Sequence, residues 1–208
     1  MNTLWSAVSE PVGFVIMSAI TAAALTLAWC VCNIVRDIVR TGHGHRVIVD
    51  IETTGLNAHA ERIIEIAMIR VNAKGREVRR FVSLVNPNRD TGATEIHGIT
   101  DAMVMNAPTF ADIAGTVRDM MSGATFVAHN VDFDLPFIVV EMHRAGMKAP
   151  KVGTFCTLGM SRLMFTEGRH NLKATAERFG IHVPFGHRAE VDAEVTLAIF
   201  RRMMGIGA

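Results

Sequence analysis

Two carboxylates lie two positions apart in VIVDIETTGL (47–56), a segment that begins as an apolar strand. Because side chains alternate along a strand, Asp50 and Glu52 are predicted to point to the same face. Two carboxylates held this close repel each other unless a positive charge lies between them. The pair therefore indicates a cation site, whereas a strand that ended at Val49 would leave both acids solvated.

A third acid is expected at the junction between a strand and a helix. AHNVDFDLPF (128–137) ends one predicted strand and begins a helix, which places Asp134 near the N-terminus of that helix. A single aspartate at this position is commonly a helix cap. Asp132 is the other acid of the segment and is suited to that capping role.

The last predicted helix begins in HRAEVDAE (187–194), which contains His187 and Asp192. Residues five apart on a helix are about 140° out of phase. His187 is therefore predicted in the loop before the helix, from which it reaches back towards the surface that carries Asp192. A histidine considered alone would more often be an ordinary surface residue.

These segments together supply four carboxylates and one histidine at strand ends and helix edges. Hard divalent cations such as Mg²⁺ prefer oxygen ligands. Two such ions about 3.5–4 Å apart can activate a water and stabilise the leaving oxygen of a phosphodiester. An imidazole with an ordinary pKa of about 6.5 is suited to remove the proton from that water.

The elements that must position these residues follow an α/β order. A first strand enters at Val47, and runs at 63–71 and 77–85 form a predicted hairpin around a Gly-containing turn. A helix over 109–123 opens with a capping-box-like Thr109 and Asp112. A short strand is predicted at 125–130 and helices at 133–146, 157–165, 171–179 and 188–204. This order predicts an α/β sandwich with a mixed sheet flanked by helices.

A charge-free stretch precedes that domain. Residues 11–35 contain no charged side chain and would form roughly 37 Å of helix, against a hydrocarbon core of about 30 Å. We expect a single transmembrane helix. Arginines follow the segment and no Lys or Arg precedes it, so the following domain should face the cytoplasm, at the plasma or inner membrane. The alternatives are a buried helix of a cytoplasmic protein or a wrongly chosen start codon.

The resulting organisation is an N-terminal tail (1–10), a transmembrane helix (11–35), a linker (36–45) and one catalytic domain (46–208). Half of the residues are hydrophobic and 20% are charged, which excludes a disordered or collagen-like chain. The net charge of +1 does not by itself indicate a nucleic-acid partner. The three cysteines lack metal-ligand spacing and fit a reducing compartment.

Three motifs, in order, resemble those of the DEDDh 3′→5′ exonucleases, which include the proofreading epsilon subunit of bacterial DNA polymerase III and ribonuclease T. They are DIETTGL (50–56), HNVDFD (129–134) and HRAEVD (187–192). The second motif selects Asp134 over Asp132. The segments HGIT, APTF and HNLKATAERFGI also resemble the epsilon branch, and the resemblance covers about residues 46–204.

The resemblance implies a ribonuclease-H-like fold and two divalent cations, Mg²⁺ or Mn²⁺. By this analogy Asp50, Glu52 and Asp192 hold one cation, and Asp50 also binds the second with support from Asp134. His187 would be the general base. The expected reaction is hydrolysis of the 3′-terminal phosphodiester of single-stranded DNA, with release of nucleoside 5′-monophosphates.

Weaker substrate contacts are expected from four residues. Thr53 could contact the terminal nucleotide, and Phe133 could stack on a base, although a core position is favoured for it. The other two are His97 and His129, for which structural roles are about equally compatible with the sequence. Clustered basic residues, among them Arg80, Arg89 and Arg144, could hold the phosphate backbone or simply form solvated faces.

Two other functions remain open at this stage. An exoribonuclease that acts on RNA 3′ ends or short oligoribonucleotides is one, because recognition of the 2′-hydroxyl depends on local pocket geometry. A non-catalytic nucleic-acid-binding module is the other, although it would be expected to have lost an acid or the histidine. The chain ends at Ala208 without the docking tail of epsilon subunits, which favours a free or membrane-tethered exonuclease over a polymerase partner. The sequence does not determine an oligomeric state.

Overall fold

The computed structural model describes residues 44–184 and 188–206. The predicted membrane span at 11–35 and the predicted base His187 lie outside these residues. Among the residues described, no helix is both long and apolar enough to cross a membrane.

Five strands form one mixed sheet in the order β3-β2-β1-β4-β5. The pairs β1–β2 and β2–β3 are antiparallel, whereas β4 lies parallel to both β1 and β5. The predicted mixed sheet is therefore confirmed. The strands are β1 (His45–Thr53), β2 (Ile63–Val71), β3 (Glu77–Leu84), β4 (Ala124–Ala128) and β5 (Thr154–Cys156).

Seven helices connect or flank these strands in the described part of the chain. The third begins after Thr109, whose side chain forms the predicted capping box with Asp112. The helices are α1 (Thr94–His97), α2 (Asp101–Val104), α3 (Phe110–Met121), α4 (Val131–Arg144), α5 (Thr157–Met164), α6 (Leu172–Arg178) and α7 (Ala189–Met204).

The first strand begins earlier than predicted. β1 starts at His45, which lies inside the predicted linker 36–45. His45 pairs with Ala124 of β4, and the buried guanidinium of Arg46 donates to the carbonyl oxygens of Gly44 and Ala73, at 3.0 and 3.2 Å. Residues 44 and 45 are thus part of the folded domain.

The two faces of β1 have different surroundings. Val47, Val49 and Ile51 belong to the main hydrophobic core, which they share with buried side chains of α3 and α4. The intervening positions, including Asp50 and Glu52, point to the opposite face, and α7 packs across β1 and β2. Alternation along one strand therefore separates the core-forming residues from the acids.

The carboxyl half of β1 lies beside a gap in the pairing. Parallel pairing with β4 runs from His45 to Ile48, while antiparallel pairing with β2 continues to Thr53. The acids of β1 lie in this second half, beyond the pairs with β4. Asp50 and Glu52 therefore have no pairing partner on β4.

Candidate active site

Three of the predicted acids meet at one point. Carboxylate oxygens of Asp50, Glu52 and Asp192 all lie within 4.8 Å of one another. The strand continues through Thr53, so the alternative in which it ends at Val49 and leaves the acids solvated is wrong. Asp192 comes from the first turn of α7, where its amide donates to the Arg188 carbonyl at 3.0 Å.

The electrostatics of this cluster oppose full ionisation. Burial raises the pKa of Asp50 well above its usual range, and the nearby carboxylates Asp134, Asp192 and Glu52 raise it further. Burial also raises the pKa of Glu52 to about 7, again with help from Asp192. Each acid is therefore costly to charge while the others are charged and no cation is bound.

Asp134 lies beside β1, close enough to the cluster to raise the pKa of Asp50. It lies in the first turn of α4, as predicted, and only 5% of it is exposed. Burial raises its pKa to about 8, although backbone amides, including that of Ile51, partly offset this effect. Asp132 is exposed and does not cap the helix, because the helix already begins at Val131 after Asn130.

The donor set fits a divalent cation. Three carboxylates converge, and a fourth acts on the pKa of Asp50 from nearby. Arg188 is the cation that lowers the pKa of Glu52, but its guanidinium is bound by Glu65. Hard oxygen ligands with unbalanced negative charge are what Mg²⁺ and Mn²⁺ require.

Glu65 was missed by the sequence analysis. It lies on β2, directly opposite Glu52 in the antiparallel register, and it is 1% exposed. Its charge is the signal that could have found it, because a carboxylate inside the apolar run IIEIAMIRV is buried at a cost unless it is paired.

Two of the weaker substrate candidates form local hydrogen bonds. The Thr53 hydroxyl donates to the Gly55 carbonyl at 2.7 Å, which shapes the turn after β1. His97 is buried, and its Nδ1 accepts from the Ile99 amide at 3.0 Å. Burial lowers the pKa of His97, so the neutral ring is favoured. Substrate contact by either residue stays a prediction.

The other two candidates have surroundings that favour structural roles. His129 places Nδ1 2.9 Å from the Thr157 hydroxyl and Nε2 2.9 Å from the His170 carbonyl. Both ring nitrogens therefore join β4 to the segments around α5. Phe133 is half-buried against the main core, with its ring centroid 5.0 Å from that of Phe137.

Three of the arginines considered for phosphate binding are engaged within the protein. Arg80 contacts three glutamates, of which Glu77 is on β3 and the other two are on α7. Arg89 donates to the Ala60 carbonyl at 2.8 Å, and Arg144 donates to the His59 carbonyl at 2.6 Å. Each guanidinium therefore has some of its five N–H groups engaged within the protein.

The raised pKa values predict how stability depends on pH and metal. The folded protein holds protons on Glu52 and Asp134 up to pH values of about 7 and 8, whereas the unfolded chain releases them near pH 4. Stability in EDTA should therefore fall as pH rises across this window. We expect Tm in EDTA to drop by several degrees between pH 6 and 8.5. Addition of Mn²⁺ should raise Tm by more at pH 8.5 than at pH 6.

Differential scanning fluorimetry with EDTA or Mn²⁺ measures this dependence. Asp192→Asn removes one repelling charge and should flatten the curve in EDTA, while Glu190→Gln, a change at a half-exposed side chain on the same helix, should not. A Tm in EDTA that stays level over this range would contradict the electrostatic account.

The chain is similar in sequence to part of a larger known protein. DNA polymerase III PolC-type from Staphylococcus aureus is 35% identical over 161 residues, which are 76% of this chain and 11% of that protein. The chain thus spans about a tenth of that relative.

Two solved structures have the same fold. Exonuclease I from E. coli, in complex with a dT13 oligonucleotide, has a TM-score of 0.69 at 18% identity, over 76% of this chain and 40% of that one. Exonuclease X in complex with 5′ overhanging duplex DNA has a TM-score of 0.60 at 28% identity, over 76% and 90% of the two chains. The expected ribonuclease-H-like fold, a mixed sheet flanked by helices, is confirmed.

The family assignment follows from the match across the domain. The family described as RNase_T, Exonuclease, matches residues 47–200, which include all three motifs and every acid of the cluster. The chain therefore belongs to this exonuclease family, whose DEDDh-type members are 3′→5′ exonucleases.

Proposed function

We propose that this protein is a metal-dependent 3′→5′ exonuclease that removes nucleoside 5′-monophosphates from the 3′ ends of single-stranded DNA. The convergence of Asp50, Glu52 and Asp192 carries the proposal, because their oxygens lie within 4.8 Å of one another on the fold of an exonuclease family. Carboxylates held this close repel one another, and a bound cation would offset that repulsion.

The residues have separate tasks in this reaction. Asp50, Glu52 and Asp192 would hold one divalent cation, and Asp50 would also bind a second with support from Asp134. Two such cations would supply a water nucleophile at neutral pH and stabilise the leaving oxygen. His187, which directly precedes the N-cap position of α7, would accept the proton from the attacking water.

DNA is the proposed substrate because two structural neighbours are described in complexes with it. Exonuclease I is bound to an oligonucleotide of dT, and exonuclease X to a duplex with 5′ overhangs. These complexes are properties of the two neighbours, and the fold that they share with this chain supports the proposal of a DNA substrate.

Parallel digestion tests activity, polarity and sugar preference together. The full-length chain, purified in mild detergent, is incubated with 5′-labelled and 3′-labelled single strands of DNA and of RNA, with Mg²⁺ or EDTA. We expect the 3′ label to leave at once as a mononucleotide and the 5′-labelled DNA to shorten stepwise, both only with Mg²⁺. Faster loss of RNA would make the protein an exoribonuclease, and no hydrolysis of either would favour a binding module.

We also propose that residues 11–35 anchor the protein in a membrane, with the nuclease domain on the cytoplasmic side. The support is the absence of charge over 25 residues and the arginines that follow. An exposed apolar surface of that length would bind membranes or aggregate in water.

Cell fractionation tests the anchor. Full-length protein should sediment with membranes and resist extraction by high salt and by alkaline carbonate, whereas a matched chain starting at residue 36 should stay in the supernatant. Protease added outside intact cells should leave the domain uncut. Recovery of full-length protein in the supernatant without detergent would refute the anchor.

A further inference from the structure

A buried carboxylate outside the three motifs contacts the start of the third one. Glu65 is 1% exposed, and both of its oxygens accept hydrogen bonds from the Arg188 guanidinium, at 2.5 to 3.1 Å. One of these oxygens also accepts from the amide of Ala189 at 2.9 Å. Glu65 thus binds the side chain of one motif residue and the backbone of the next.

The contact with Ala189 supplies a cap that α7 does not provide for itself. Arg188 is the N-cap residue of this 16-residue helix, and its own side chain makes no capping hydrogen bond. The free amides at a helix N-terminus favour an anionic acceptor, and a carboxylate there is stabilised by the helix dipole. Glu65 provides that acceptor from β2.

The same carboxylate is linked to the catalytic strand. Glu65 is the direct partner of Glu52 in the β1–β2 register. Asp192 lies in the first turn of α7, and its amide is bonded to the carbonyl of Arg188. The two halves of the acidic cluster, one on β1 and one on α7, are therefore connected through Glu65 and Arg188.

We propose that Glu65 is a positioning residue of the exonuclease site: by binding Arg188 and Ala189 it sets the start of α7, so that Asp192 faces Asp50 and Glu52. The proposal rests on the proposed function for its catalytic consequence and on geometry alone for its effect on metal binding. A bidentate pair with arginine is suited to this task because it fixes direction as well as distance.

A second buried glutamate provides a matched control. Glu141 on α4 is also 1% exposed and also binds arginines, Arg62 at 2.6 Å and Arg144 at 3.1 Å. Neither of these arginines belongs to a motif. Glu65→Gln and Glu141→Gln therefore make the same chemical change at equal burial, and only the first touches the third motif.

The effect of charge must be separated from the effect of position. Glu65→Gln removes a negative charge near the cluster and could weaken cation binding by that route alone. Arg188→Gln removes a positive charge, which by charge alone would strengthen cation binding. If Glu65 and Arg188 act by positioning α7, both substitutions weaken cation binding.

The test measures Mn²⁺ binding to the full-length chain by isothermal titration calorimetry, with Tm in EDTA as the check on folding. We expect Glu65→Gln and Arg188→Gln each to raise the Kd for Mn²⁺ by about 10–100-fold, the range found when the partners of metal ligands are removed. The double variant should bind Mn²⁺ no more weakly than the weaker-binding single variant, since the two substitutions remove the same interaction. Glu141→Gln should lower Tm and leave the Kd unchanged.

Three results would overturn the proposal: unchanged binding in Glu65→Gln, tighter binding in Arg188→Gln, or an equal loss in Glu141→Gln. The nuclease assay is read separately from binding. A wild-type protein that binds Mn²⁺ without cleaving nucleic acid would refute the proposed function. A raised Kd for Mn²⁺ in the two variants would still support the positioning role in that case. If Glu65→Gln does not fold, Arg188→Gln decides alone, because its guanidinium is half-exposed.

Discussion

Asp50→Asn is expected to reduce hydrolysis by about 10³-fold or more, because bound divalent ions contribute several kcal/mol to the stabilisation of the transition state. Asp50 lies at the centre of the cluster, where Asp134, Asp192 and Glu52 all raise its pKa. Substitution by Asn preserves the size of the side chain but removes the charge that both proposed cation sites would share. Initial rates on 5′-labelled single-stranded DNA at saturating Mg²⁺ measure the loss.

The fold should survive this change. The variant loses one of several repelling carboxylates, so its Tm in EDTA should equal or exceed that of the wild type at pH 8. Asp132→Asn is the matched control, since this acid belongs to the second motif but is exposed. Near-normal turnover in Asp50→Asn, or an equal loss in Asp132→Asn, would exclude the assignment of Asp50 to the cation sites.

His187→Ala should lower the rate by about 10²–10⁴-fold, the usual contribution of a general base. The role proposed for His187 is proton transfer rather than metal binding, so the Kd for Mn²⁺ should be unchanged. The rise in rate with pH that reports ionisation of the base should disappear. Rates measured from pH 5.5 to 9 at saturating Mg²⁺ give both results.

His182→Ala supplies the control for this experiment. His182 is exposed and lies five residues before His187, so its removal should leave the rate and its pH dependence as in the wild type. A wild-type rate and pH profile in His187→Ala would show that another group takes the proton.

Much of the architecture could be predicted because the patterns are local. The apolar run at 63–71 coincides with β2, and the capping box at Thr109 begins α3 as expected. The strand β5 and the helices α1 and α2 were not predicted, since elements of three or four residues are too short to show a period. Their positions depend on neighbours that are distant in sequence, such as the pairing of β5 with β4.

The site divides in the same way. The spacing of Asp50 and Glu52 already determines that they share a face, because alternation along a strand is a property of the backbone. The motifs also identify Asp134, Asp192 and His187 by their resemblance to a family. The sequence does not determine the distances between these groups, because the distances depend on how α4 and α7 pack against β1.

The sequence by itself therefore determined the chemistry of this protein: which acids are available, which of them share a strand face, and which family they resemble. Only the tertiary structure decided that Asp192 joins Asp50 and Glu52 within 4.8 Å, that His129 uses both ring nitrogens inside the fold, and that Glu65 binds Arg188. The reason is physical. Glu65 and Arg188 are 123 residues apart, and contacts across such a separation follow from packing rather than from local pattern.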